Sequence, residues 1–157
     1  MKTITADEIR DLFQNDLAIF TSFTWSVYMP WIRDNEYLLL PRDVIEPVTL
    51  QICDRSNPDR PNYLSEVNDC DDFSTWLDEI KRQAQNIIAK NTGVRLPLPM
   101  GPLAGKFNSA GRTPHQCTGV IVREGFFRLE SQNGRFYELE KNVPGWGTDR
   151  ILSLIHI

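Results

Sequence analysis

The feature that most constrains this chain is a run in which Phe73, Trp76, Leu77, Ile80, Ala84, Ile87 and Ile88 recur at three- and four-residue intervals, with charged residues between them. Such spacing puts the apolar side chains on one helical face, which needs a partner surface to bury it. The run is preceded by Asn68-Asp69-Cys70-Asp71-Asp72 and followed by Asn91-Thr92-Gly93, so the helix is expected to start near Cys70 and to stop at Gly93. The partner surface follows in the sequence. Residues 117–123, 126–130 and 135–140 read as strands joined by turns at Glu124-Gly125 and Asn133-Gly134, and residues 149–157 alternate as one more. One central helix followed by a run of strands predicts an α+β fold, the helix packed on a small antiparallel sheet.

The rest of the chain supplies smaller elements. Thr5-Ala6-Asp7-Glu8 has the form of a capping box and opens a helix from about Ala6, with Ile9, Leu12, Phe13, Leu17 and Phe20 near helical spacing. Tyr37-Leu38-Leu39-Leu40 before Pro41 reads as a short extended segment, and residues 43–52 as a second, short helix. Residues 54–61 are polar with two prolines and read as a loop. Residues 96–111 hold Pro97, Pro99, Gly101, Pro102, Gly105 and Gly111, which predicts a long surface loop. At 157 residues, with 41% hydrophobic and 24% charged side chains, a single domain (1–157) with one core is the expectation.

A net charge of -4 gives a field that repels phosphate backbones and anionic lipid, so neither nucleic acid nor a membrane surface is the expected partner. Three cysteines, Cys53, Cys70 and Cys117, form no CxxC pair and no even disulfide set. No stretch has the length of a signal peptide core or a membrane span, and a cytoplasmic location follows as the expectation.

Chemistry concentrates at three residues. Cys70 stands where the strongest helix begins, and a helix N-terminus stabilises a thiolate through its unpaired N–H groups and dipole. Asp71 and Asp72 oppose that effect, so a histidine partner is required to form the ion pair. The same residues also read as plain capping, with Asp69 as N-cap and Cys70 as a small packed side chain. Of the two histidines, His115 opens a strand directly after the Pro/Gly-rich segment, whereas His156 lies inside the last apolar segment. Glu130 closes the next strand at the end that returns toward His115. A two-residue turn at Glu124-Gly125 would set Glu130 opposite Gly119, too distant; a bulged turn would set it opposite residues 116–118, within reach of the imidazole.

Together, Asn68-Asp69-Cys70-Asp71-Asp72-Phe73, then Pro114-His115 opening a strand, then Leu129-Glu130-Ser131-Gln132 closing a hairpin strand, resemble a family of papain-like cysteine-protease domains. These occur at the C-terminus of the Marasmius oreades agglutinin and in bacterial and bacteriophage proteins. The order Cys, His, Glu and the 45- and 15-residue spacings are similar to that pattern over about residues 37–137. The resemblance implies a papain-like fold and hydrolysis of a peptide or protein substrate by Cys70, His115 and Glu130 through a thioester. It also implies a location in the host cytoplasm where the gene is phage-borne. Ser131 and the polar start Gln116-Cys117-Thr118 depart from the pattern. Trp25 and Trp31 are candidate walls of a substrate cleft, and Gln116, Asn68 and Trp25 are candidate second donors to an oxyanion.

Such chemistry requires no cofactor. Calcium, the activating ion in the agglutinin, has candidate oxygen ligands in Asp69, Asp71 and Asp72 beside Glu66, although there is no EF-hand loop and helix capping explains the same residues. A zinc site of Cys70, His115 and Cys117 lacks a fourth ligand. Two further functions compete. Asp-Cys-Asp-Asp-Phe is also similar to the nucleophile region of bacterial transglutaminase-like proteinases, which would transfer an acyl group to an amine or act as an amidase. A small phage or bacterial interaction protein that keeps the fold without turnover is the other.

Overall fold

The computed structural model describes residues 1–21, 32–61, 74–154 and 157, and its centre is a five-stranded antiparallel sheet covered on both faces by helices. In chain order the elements are β1 (Thr3–Thr5), α1 (Ala6–Asn15), β2 (Glu36–Leu38), α2 (Arg42–Ile52), α3 (Ser74–Thr92), β3 (Met100–Lys106), β4 (Pro114–Val122), β5 (Gly125–Leu129), β6 (Phe136–Tyr137) and β7 (Arg150–Leu154). The large sheet runs β6-β5-β4-β3-β7, and β1 pairs with β2 in a separate two-stranded sheet. The fold is therefore mixed α+β.

Alternation along the strands divides the core in two. Met100, Val120, Val122, Phe127 and Leu129 face α2 and α3, meeting Ile45, Ile52, Trp76, Ile80, Ala84 and Ile88. On the other face Leu103, Cys117, Ile121, Ile151 and Leu154 meet Ile9 and Phe13 of α1. The three- and four-residue apolar period is the stripe α3 buries: Trp76, Ile80, Ala84 and Ile88 are each at most 4% exposed. Helix α3 ends at Thr92, with Gly93 beyond it, as its sequence predicts. Its expected start near Cys70 lies outside the described residues.

At Thr5 the capping box is complete: the Glu8 N–H donates to Thr5 Oγ1 at 3.3 Å and the Thr5 N–H to Glu8 Oε2 at 2.7 Å. The 54–61 segment is irregular, as expected.

Three expectations need correction. The segment 96–111 is not one long loop, because β3 runs through it as an interior strand between β4 and β7. Its glycines and prolines disguise it, and each is accommodated. Among the described residues Pro102, lacking an N–H, pairs with Thr118 of β4 alone. Gly105 sits at a register shift where a Cβ would come within 2.5 Å of the Arg150 carbonyl and of the Phe107 ring.

The strand expected over 135–140 is shortened to β6. Beyond Tyr137 the chain leaves β5, and the Glu140 N–H donates instead to Asp149 Oδ2 at 2.8 Å. The β4–β5 turn lies at Arg123-Glu124, one residue earlier than expected, and pairs Val122 with Gly125. Among the described residues no helix is long and apolar enough to cross a membrane.

Candidate active site

The turn at Arg123-Glu124 decides what faces what at the far end of the hairpin. Its register pairs Thr118 with Leu129, so Glu130, the next residue, falls beside the first residues of β4. This is the placement the bulged turn would have given, reached instead by a shifted tight turn. His115 Nε2 and Glu130 Oε2 are 2.7 Å apart, with the two side chains only 17% and 13% exposed.

Glu130 is held from several sides. Arg128, two residues earlier and so on the same strand face, donates from Nη1 to Oε2 at 3.0 Å, and the Gln132 N–H approaches Oε1 at 3.4 Å. The Glu130 carbonyl accepts from the Gly134 N–H at 2.7 Å, and the Glu130 N–H donates to the Arg135 carbonyl at 2.9 Å, closing the turn after β5. That turn is fixed against α2, because Thr49 Oγ1 donates to the Gly134 carbonyl at 2.7 Å. It is fixed against α3 too: Trp76 Nε1 donates to the Ser131 carbonyl at 3.0 Å. Arg60 Nη2 donates to the Gln132 carbonyl at 2.8 Å from the 54–61 segment. Three separate pieces of chain thus converge on residues 130–134.

Burial alone would raise the Glu130 carboxyl, but the hydrogen bond and charge of His115, with the charge of Arg128 and the Gln132 N–H, hold it below the ordinary 4.5. A carboxyl lowered on folding contributes stability that is complete above its unfolded value and is lost as pH falls through the folded one. The melting temperature of the wild-type chain is therefore expected to fall on acidification below about 4.5, and Glu130→Gln is expected to flatten that slope. Parallel acid slopes in the two proteins, read by thermal melting at a series of pH values, would show that the pair contributes nothing.

Two of the three thiols are chemically quiet. Burial pushes the Cys53 thiol up to about 12, the nearby Arg60 charge opposing only in part. Cys117, fully buried in β4, is pushed up by burial as well. If any cysteine in this chain is a nucleophile, Cys70 remains.

The structure thus brings His115 and Glu130 together. Gln116, adjacent to His115 on β4, lies on the opposite face of the strand. Cys70, Trp25, Trp31, Asp69, Asp71 and Asp72 lie outside the described residues, as do Asn68 and His156. Among the described residues no group of three or more His, Cys, Asp or Glu side chains is arranged to hold a metal ion. Arg128 was legible only as an odd charge in the apolar strand Phe126-Phe127-Arg128-Leu129, and its period-two relation to Glu130 was the signal available.

No family model and no curated protein matches the sequence. Solved structures do. A chain of the Polyporus squamosus lectin, determined bound to the human-type influenza-binding epitope Neu5Aca2-6Galb1-4GlcNAc, matches at a TM-score of 0.53 and 20% identity. The likeness is one of fold. The match covers 86% of this chain and 45% of the lectin chain, so this chain spans less than half the length of that relative.

Proposed function

We propose that this chain is a papain-like cysteine hydrolase acting on peptide bonds, with Cys70 as nucleophile, His115 as general base and Glu130 as the residue that orients the imidazole. The observation that carries the reading is the part-buried 2.7 Å contact between His115 Nε2 and Glu130 Oε2 at the end of the hairpin. A carboxylate on one ring nitrogen fixes the tautomer and leaves the other nitrogen to take a proton, as a thiol nucleophile requires. The Trp76–Ser131 hydrogen bond adds support, since it ties the first turns of α3 to the residue after Glu130. Cys70 precedes Ser74 by four residues, a length of chain that spans at most about 14 Å. The silence of Cys53 and Cys117 leaves no competing thiol.

In this mechanism His115 Nδ1 removes the Cys70 proton and the thiolate attacks the substrate carbonyl carbon. The imidazolium, steadied by Glu130, returns the proton to the leaving amine as the C–N bond breaks and a thioester remains. Water, deprotonated by the same nitrogen, then attacks the thioester, and the Cys70 sulfur leaves with the acid product released. The Cys70 N–H is the first candidate for holding the oxyanion. The mechanism requires no cofactor; were Asp69, Asp71 and Asp72 to hold calcium, the ion would act as an activator, which chelation tests.

The test is selective labelling with iodoacetamide at pH 6, where an ordinary thiol with a pKa near 8.5 is almost wholly protonated. Cys70 is expected to react at least about tenfold faster than a thiol in an unfolded peptide, with Cys53 and Cys117 unlabelled as internal controls. Cleavage of an unstructured protein substrate is expected to vanish in Cys70→Ala with the melting temperature retained. Ordinary reactivity at Cys70 together with no cleavage would leave a fold used only for binding. Transfer to an added amine in preference to water would point to the transglutaminase-like chemistry.

A further inference from the structure

Glu130 Oε2, the oxygen that receives His115, is shared. Arg128 reaches the same atom from Nη1 at 3.0 Å while Nη2 donates to the Ser109 hydroxyl. Its guanidinium lies between two rings, 4.8 Å from the Phe107 centroid and 4.7 Å from that of Tyr137. The side chain is 2% exposed, and its Nε is buried with no hydrogen-bond partner among the described residues. A buried cation with an orphaned donor is a poor device for stability, since an apolar side chain would fill the gap between the two rings without that cost. What an apolar side chain would not do is hold a carboxylate oxygen at a fixed point and take up part of its charge.

We propose that Arg128 is a positioning residue for His115, pinning Glu130 Oε2 where the imidazole N–H meets it and sharing the negative charge of that oxygen. The proposal takes its use from the hydrolase reading above. With Arg128 present, protonating His115 gives the three groups a net charge of +1; without it the imidazolium and carboxylate would neutralise each other and the proton would be held more tightly.

Other groups around the pair do not take over this role. Cys117 on β4 and Cys53 at the end of α2 are thiols held neutral by burial. Gly105 stands opposite His115 on β3 and carries no charge. Arg60 is directed to the Gln132 carbonyl. Among the described residues, Arg128 is the formal charge in contact with the pair.

The experiment is an NMR titration of the His115 ring in the full chain, with His156→Gln as background so that one histidine is observed. In Arg128→Met the His115 midpoint is expected to rise by about one pH unit or more. In Arg128→Lys, which keeps the charge but not the fork that spans Glu130 and Ser109, it is expected to lie between that value and the wild type. A purely structural role would lower the melting temperature and leave the midpoint where it was; that result in a folded Arg128→Met would overturn the proposal. Should Arg128→Met fail to fold, a midpoint in Arg128→Lys identical to wild type would overturn it equally. The titration needs no turnover and no Cys70, so a chain that cleaves nothing still reports on Arg128, and the labelling experiment judges the hydrolase reading separately.

Discussion

Replacing His115 with Ala is expected to lower peptide turnover by about 10³-fold or more, the scale on which a positioned general base contributes. The variant loses both the acceptor for the Cys70 proton and the donor that returns it to the leaving amine. Glu130→Gln is expected to do less, and Arg128 supplies the reason. Its guanidinium has donors only, so the amide will present its carbonyl oxygen, not its NH₂ group, at the position Oε2 now holds. The His115 Nε2–H bond then survives and only the negative charge is lost. Rates measured at saturating substrate, with melting curves for each variant, give the ordering. A Glu130→Gln loss equal to that of His115→Ala would mean that charge, not orientation, is what the carboxylate provides. Unchanged rates in both would remove the pair from the mechanism.

The largest stability loss from a single methyl group is expected at Gly134. Its φ is +75°, a region that costs a side-chain-bearing residue about 1–2 kcal/mol. A Cβ there would also lie 2.3 Å from the Thr49 carbonyl oxygen and 2.8 Å from the Leu50 nitrogen, both backbone atoms of α2 that cannot turn aside. Overpacking of that kind adds about 1–3 kcal/mol. For Gly134→Ala a loss of roughly 3 kcal/mol follows, which for a chain of this length lowers the melting temperature by about 6–12 °C. Calorimetry or melting by circular dichroism checks it, and a change of less than a degree would show that the turn rearranges freely. Because the same turn carries Glu130, residual folded protein is expected to be less active per molecule than wild type.

The elements most legible in the sequence are those whose burial follows a simple period. Trp76, Ile80, Ala84 and Ile88 specify α3 and its buried face, and Thr5 with Glu8 specifies the start of α1. Strands β4 and β5 were readable as apolar runs bounded by turn residues, because both of their faces are buried in the assembled core. Strand β3 was not, since Pro102, Gly101 and Gly105 carry the composition of a loop. What makes it a strand is non-local: β4 alongside its whole length, and the Phe107 ring in the space a Gly105 side chain would need. The His115–Glu130 pairing was readable as an expectation whose outcome hung on one turn residue. Arg128 was not, because a charged residue in a strand says nothing of the rings and the hydroxyl that enclose it until the strands are assembled.

The grip of α2 on β6 bears on how a substrate can approach. Arg42 Nη2 donates to the Phe136 carbonyl at 3.1 Å, and the Phe136 N–H donates to Glu46 Oε1 at 2.8 Å. Both outward backbone groups of that edge residue are therefore taken by side chains. At the opposite edge of the sheet, Ile151 of β7 is bridged in parallel by Thr21. An extended peptide that docks by adding itself as a sixth strand needs a row of unoccupied donors and acceptors along one border, and these two positions interrupt such a row on either side. On the hydrolase reading proposed above, a substrate would instead come in across the strand ends, where His115 and Glu130 stand.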